Sequence, residues 1–297
     1  MRSFIFLLAA LVLPGAAPAG AAPVALMQWS DLLGRPMPAA TQRIAYGPGP
    51  EQFGELWLPA GQGPFPVVLM VHGGCWLNGV AKLTIMNYAA EDLRRRGIAV
   101  WNIEYPGVDR PGGGYPGTFQ DVAAGADLLA ALGPQYHLRT DRVVVVGHSA
   151  GGHLAPWLAA RGRIAAGSPL HAAHPLPIAG VVSLGGLPDL EDVHAKDICG
   201  AVNVEKLVGA GDPGRPDVWA DTSPAELGAG PERQVFINGA LDGIAPPALD
   251  AAYVAKMDAR GARLRQIAVP DEGHVEEIAP GTASWRQAIE AIDALLR

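Results

Sequence analysis

The stretch from Val143 to Gly152 reads VVVVGHSAGG, and its serine, Ser149, is the side chain best placed to do chemistry. Four β-branched valines in a row, apolar on both faces, read as a strand buried inside a sheet and stopped at Gly147. Gly147-His148-Ser149-Ala150-Gly151 then has the G-x-S-x-G spacing of a sharp strand-to-helix turn with the serine at its apex. Glycine is needed two residues to either side because backbones pack closely there and a Cβ would clash. The helix that follows starts with unpaired N–H groups, which favour developing negative charge. That is the setting for an acyl-transfer nucleophile. In a chain with 38 glycines the spacing alone carries little; its position directly after four valines carries the reading.

A serine hydroxyl is a poor nucleophile at neutral pH and needs a base. Open α/β sheets gather ligands outside the carboxyl ends of their strands. Four segments pass that filter: Ser149, the loop His72-Gly73-Gly74-Cys75-Trp76, Asp242 in NGALDG and His274 in DEGH. Of the eight histidines only His274 lies beyond residue 194, so the chain order Ser…Asp…His makes it the base. Asp242 follows a short strand in a small, turn-rich loop. It is expected to orient His274 and stabilise its imidazolium. Asp189 and Asp192 are alternatives for the acid, and Asp271 sits too close to His274 in sequence. The oxyanion formed on attack needs preorganised donors. The amide of Ala150 is expected to be one and that of Gly74 or Cys75 the other, with the choice between those two open. His72 is expected to brace its loop. Trp76 and His148 are expected to contact substrate; Tyr105, Tyr115 and Trp219 are weaker candidates for pocket walls.

The elements that must position these groups follow from the pattern. Strands are expected at Ile44 to Tyr46, Glu55 to Leu58, Phe65 to Val71, Ile98 to Ile103, Asp141 to Val146, Ile178 to Leu184, Gln234 to Ile237 and Leu264 to Val269. Helices are expected at Met86 to Arg96, Phe119 to Leu132 with Thr118 as cap, from Ser149 to about Ala160, at Pro247 to Arg260 and at Trp285 to Leu296. The alternation predicts a mostly parallel eight-stranded sheet covered on both faces. The stretch 187–231 shows no clear strand and is expected to be a small cap over the site.

The chain has 297 residues, 49% of them hydrophobic and 17% charged, which suits one large α/β domain. A net charge of −7 argues against nucleic acid as a partner. Residues 1–21 read as a secretory signal: Arg2, an apolar run from Phe4 to Leu13, and small-x-small cleavage sites around Ala17 to Ala21. That run is short for a membrane span, so no stable span is expected once the signal is removed. The expected mature domain is 22–297, secreted or periplasmic. The two cysteines, Cys75 and Cys199, could then pair or remain buried thiols. No pattern suggests a metal or an organic cofactor.

With these residues placed, the chain resembles the α/β-hydrolase superfamily, in the esterase group whose oxyanion loop reads HGG-x-W. Kynurenine formamidases and feruloyl-esterase-like or carboxylesterase-like proteins share that loop. The resemblance covers about residues 45 to 295. It includes Pro111-Gly112-Gly113-Gly114-Tyr115-Pro116-Gly117-Thr118 and Gly147 to Leu154. It implies the α/β-hydrolase fold and the Ser149, Asp242, His274 triad. Members with cysteines in the same two places imply a Cys75–Cys199 bridge. One departure is Pro106-Gly107 after Tyr105, where relatives often carry arginines. The implied activity is hydrolysis of a small or medium carboxylic ester through an acyl-enzyme, without a cofactor. An arylformamidase, cleaving an N-formyl amide with the same triad, is the competing enzyme reading. A non-catalytic binding protein of the same fold normally shows a broken triad, and none is visible.

Overall fold

The four valines lie in strand β5 (Leu138–His148) of an eight-stranded sheet, and all four are fully buried. The computed structural model describes residues 24–228, 230 and 232–297, so the expected export signal, 1–21, lies outside the described residues. The other strands are β1 (Gln42–Ala45), β2 (Phe53–Trp57), β3 (Phe65–Val71), β4 (Ala99–Ile103), β6 (Ile178–Leu184), β7 (Arg233–Gly239) and β8 (Arg263–Val269). Their order across the sheet is β1-β2-β4-β3-β5-β6-β7-β8, antiparallel at β1–β2 and β2–β4 and parallel from β4 to β8.

Side chains alternate across a strand, so consecutive valines feed two different cores. Val143 and Val145 join the layer that holds helices α3 (Gly117–Tyr136) and α4 (Ala150–Ala160). Val144 and Val146 join the layer that holds α2 (Asn87–Arg95) and α9 (Ala283–Leu296). A strand buried on both faces must be apolar throughout, which is why its sequence does not alternate. This doubly covered sheet is the α/β-hydrolase fold. The parallel strands all end on one edge, and the residues after β3, β5, β7 and β8 therefore come together there.

Two elements differ from expectation. Thr118 does not cap α3, because Pro116 occupies the cap position. The Thr118 hydroxyl instead donates to the Pro106 carbonyl (2.6 Å) and accepts from the Gly114 amide (2.9 Å), which ties the glycine-rich loop to the helix. A short helix, α1 (Trp29–Leu33), precedes the first strand and buries Leu32. Between β6 and β7 the chain forms α5 (Leu190–Ala195), α6 (Ala201–Val208) and α7 (Pro224–Leu227), and α8 (Pro247–Asp258) follows β7. Among the described residues no helix is long and apolar enough to cross a membrane.

Candidate active site

Ser149 is the single residue between β5 and α4, at φ 55° and ψ −119°. A left-handed conformation at a serine costs about 1–3 kcal/mol, and the surrounding contacts impose it. The Ser149 amide donates to the Leu184 carbonyl at the end of β6 (2.8 Å), and its own carbonyl accepts from Gly152 (2.7 Å). The flanking glycines are sterically required. A Cβ on Gly147 would lie 2.0 Å from the Gly151 carbonyl oxygen, and one on Gly151 would lie 2.1 Å from that of Val71.

His274, in the loop after β8, shares a cavity wall with Ser149. Its Nδ1 lies 2.7 Å from Asp242 Oδ2. The other carboxylate oxygen, Oδ1, accepts from the amides of Ile244 (2.7 Å) and Ala245 (3.0 Å). Each Asp242 oxygen thus has a fixed task, one toward the backbone and one toward the imidazole. The fallback acids are occupied elsewhere: Asp189 pairs with Lys256 (3.1 Å) and Asp192 with Lys196.

His148, expected to contact substrate, lines the same cavity, and its hydrogen bonding goes to the protein. Its ring lies 4.4 Å from that of His274, centroid to centroid, and Nε2 donates to the His274 carbonyl (3.1 Å). Burial, with His274 beside it, holds the His148 ring well below the usual histidine range, so it is neutral. Trp29 of α1 stands edge-on to both rings, at 6.0 Å from His148 and 6.5 Å from His274.

The loop after β3 brings Gly74 and Cys75 to the cavity. Gly74, Cys75 and Trp76 have φ of 111°, 52° and 58°, three successive positive values. Among the described residues no group accepts from the amides of Gly74, Cys75 or Ala150, which leaves all three free as donors. Gly73 must be glycine, because a Cβ there would lie 2.8 Å from that of Ser149. His72 braces the loop: Nδ1 lies 2.7 Å from the Gly73 carbonyl oxygen and Nε2 2.7 Å from Glu104 Oε1. Against the cost of its burial, His72 and the amides of Leu83 and Tyr105 hold the Glu104 carboxyl below the usual range. Tyr105 stacks on His72 and donates to its carbonyl (2.9 Å), so it is part of the brace and not a pocket wall.

The cysteines form a disulfide that ties Cys75 to Cys199 between α5 and α6. The bond closes a loop of 124 residues. Its replacement by the double variant Cys75→Ser/Cys199→Ser is expected to lower stability by about 2–5 kcal/mol, read from the urea midpoint. An unchanged midpoint would show that the bridge adds nothing to the fold.

Trp76 corrects the sequence reading. Its ring is absent from the cavity wall and fully buried in the core against His153, with Nε1 donating to His153 Nδ1 (3.3 Å). Tyr115 lies under Arg215, and its hydroxyl donates to Asp221 (2.9 Å); Trp219 packs beside His194. None of the three lines the Ser149 cavity. The departure at Gly107 has a steric reason as well: a Cβ there would lie 2.3 Å from the Trp76 carbonyl oxygen, so no larger residue fits against this loop.

The cavity encloses about 290 Å³, and its wall is apolar: Trp29, Leu33, Val80, Ala81, Ile85 and Ile244. Sequence reasoning missed the Trp29–Leu33 helix and also Glu277, which is fully buried beside His274 and His148. His148, His274 and Glu277 place donor atoms within 4.8 Å of one another. Two of those donors already have partners, Asp242 at His274 Nδ1 and the His274 carbonyl at His148 Nε2, so the group is a hydrogen-bond cluster in its chemistry.

Solved structures of similar shape include a truncated carbohydrate esterase from gut microbiota, with a TM-score of 0.72 and 20% identity over 87% of this chain and 97% of that one. Esterase B from Lactobacillus rhamnosis superposes with a TM-score of 0.72 at 23% identity, over 88% and 89% of the two chains. A bacterial heroin esterase gives 0.67 at 23%, over 86% and 83%. Among curated proteins, a probable isoprenylcysteine alpha-carbonyl methylesterase of Arabidopsis thaliana is 31% identical over 119 residues, 40% of this chain. That match spans about a quarter of the relative's own length. The BD-FAE family model matches residues 55–248, about two thirds of the chain, and this protein therefore belongs to the BD-FAE family of α/β-hydrolase-type esterase domains.

Proposed function

We propose that the protein is a serine carboxylesterase for small to medium esters with an uncharged acyl group. The observation that carries this reading is the meeting of Ser149, on its strained turn, with the Asp242-oriented His274 in one apolar cavity. His274 takes the Ser149 proton as the hydroxyl oxygen attacks the ester carbonyl. The amides of Ala150 and of Gly74 or Cys75 take the oxyanion charge. His274 returns the proton to the leaving alcohol, and water repeats the cycle on the acyl-enzyme. A cavity of about 290 Å³ holds on the order of ten water-sized groups at about 30 Å³ each, and no carboxylate, lysine or arginine lines it to pair with a charged acyl chain. From the stretch expected to cap the site, Cys199 is tied to the loop beside Ser149 through Cys75, while no described residue of that stretch lines the cavity. The bridge also fits a working location in an oxidising compartment, secreted or periplasmic.

The test is hydrolysis of p-nitrophenyl esters from acetate to dodecanoate, with N-formylkynurenine in parallel. Turnover is expected to peak among the shorter chains. Faster cleavage of the formamide than of every ester would favour the arylformamidase reading. No turnover of either by folded, oxidised protein would refute both.

Trp29 is the largest side chain of the wall and sits against His274. Trp29→Ala is expected to move the preferred acyl chain longer by about two to four carbons, since each buried methylene contributes about 0.8 kcal/mol where space admits it. An unchanged chain-length profile would mean that the acyl group lies elsewhere.

A further inference from the structure

Glu277 follows His274 by three residues, in the single helical turn Glu276–Ile278, and its side chain has no exposure. Oε1 accepts from the Gly239 amide (2.8 Å). Oε2 has no partner among the described residues; it lies 3.6 Å from His274 Nδ1 and 3.8 Å from His148 Nε2. The space it occupies is kept open by Gly185 at the end of β6. A Cβ on Gly185 would lie 2.2 Å from Glu277 Oε2 and 2.8 Å from His274 Nδ1.

The titratable groups facing Glu277 are His148 from β5, Asp242 from the β7–α8 loop, Asp250 from α8 and His274 from its own segment. From β6 it meets Gly185, which carries no charge. Three buried carboxyls thus neighbour one another, and like charges gathered in a buried site do not all ionise. The competition is decided by partners. Asp242 has two amides and the imidazole, Glu277 has one amide and meets Asp242 side chain to side chain, and Asp250 has only the Asn238 side chain beside it. Asp242 is therefore the carboxylate of the three best served by donors. Burial, followed by the charge of Asp242, pushes the Glu277 carboxyl well above the usual range, and burial does the same at Asp250.

We propose that Glu277 is a neutral carboxylic acid in the resting site and a positioning residue for the Asp242–His274 pair. The proposal rests on the reading of His274 as the base for Ser149. As a neutral group Glu277 fills the space beside the imidazole and leaves a single negative charge opposite Nδ1. A second carboxylate there would hold His274 as an imidazolium, and an imidazolium cannot accept the Ser149 proton.

The experiment compares pH profiles of kcat/KM for wild type, Glu277→Gln and Glu277→Ala. Glu277→Ala is expected to lose about 10- to 100-fold as the imidazole loses its lateral support. Glu277→Gln, neutral and of the same shape, is expected to recover most of that loss and to leave the midpoint of the acid limb within about 0.3 pH unit of wild type. The sign is decisive. Were Glu277 ionised, the amide would remove a negative charge from beside His274, and the acid limb would move to lower pH by about one unit or more. That shift would overturn the proposal, as would full activity in Glu277→Ala or no recovery in a folded Glu277→Gln. Infrared difference spectra provide a readout independent of turnover. Asp250, whose carboxyl burial also pushes up, contributes such a band as well, so Glu277→Gln should remove one protonated-carboxyl component at neutral pH and Asp250→Asn a different one; a spectrum unchanged by Glu277→Gln would also overturn the proposal. If wild type cleaves no ester, the esterase reading fails on its own, and the infrared band still reports the state of Glu277.

Discussion

Ser149→Ala is expected to lower kcat for ester hydrolysis by about a millionfold, the scale on which removal of a triad nucleophile acts. The substitution takes away only the hydroxyl oxygen. The φ of 55° at this position is dictated by the hydrogen bond to Leu184 and the packing of Gly147 and Gly151, so the turn should survive it. The donors at Gly74, Cys75 and Ala150 remain, so a residual acceleration of about 10³–10⁴ over water is expected. Two measurements separate loss of chemistry from loss of fold. An organophosphonate should add to wild type with one-to-one stoichiometry by intact mass and leave Ser149→Ala unlabelled, while both proteins unfold at similar temperatures. Labelling of the variant would place the nucleophile elsewhere.

Asp242→Asn is the second large effect, a fall in kcat of about 10⁴. The hydrogen bonds around Asp242 say which way the new amide must turn. Ile244 and Ala245 both present N–H groups to Oδ1, so the asparagine oxygen takes that place. Its NH₂ is then forced toward His274 Nδ1. Two donors cannot face each other, and His274 answers by carrying its proton on Nε2, the nitrogen that must be free to accept from Ser149. The loss is one of tautomer and not of structure, so KM should change far less than kcat. A fall in kcat of less than tenfold would mean that another carboxyl orients the base, and Glu277 is the one within reach.

The parts of this site that were legible in the sequence are those fixed by backbone packing. Phe65–Val71 and Ile178–Leu184 were readable to the residue as strands because doubly buried parallel strands are continuous apolar runs between turn residues. That Ser149, His274 and Asp242 meet at one edge of the sheet was readable because each follows a strand that ends there; the roles proposed for them rest on chain order. Side-chain direction was not legible. Trp76 looked like a substrate contact beside two glycines, and only its complete burial against His153 shows the ring turned inward. Glu276 and Glu277 looked alike, an acidic pair in a loop. Glu276 holds the amides of Met27 and Gly273, whereas Glu277 holds the Gly239 amide and is buried beside His274. Helix α1 has five residues, too few for any periodicity to show, and its place is set by tertiary contact at Leu32.

The α1 wall has a consequence for the order in which this protein becomes competent. Trp29 stands against His148 and His274, and the Met27 amide binds Glu276, 249 residues further along. Loops of that length close late, after local contacts have formed. During synthesis the Ser149 turn can fold while His274 is still unmade, and the early helix must wait for the late loop before the cavity has its wall. The pocket is thus the clasp of the chain. A nascent or partly unravelled molecule can keep its central strands intact and still have no enclosed place for a substrate, so partial unfolding at either end of 24–297 should be felt first in acyl-chain selectivity and only later in the far-ultraviolet signal of the sheet.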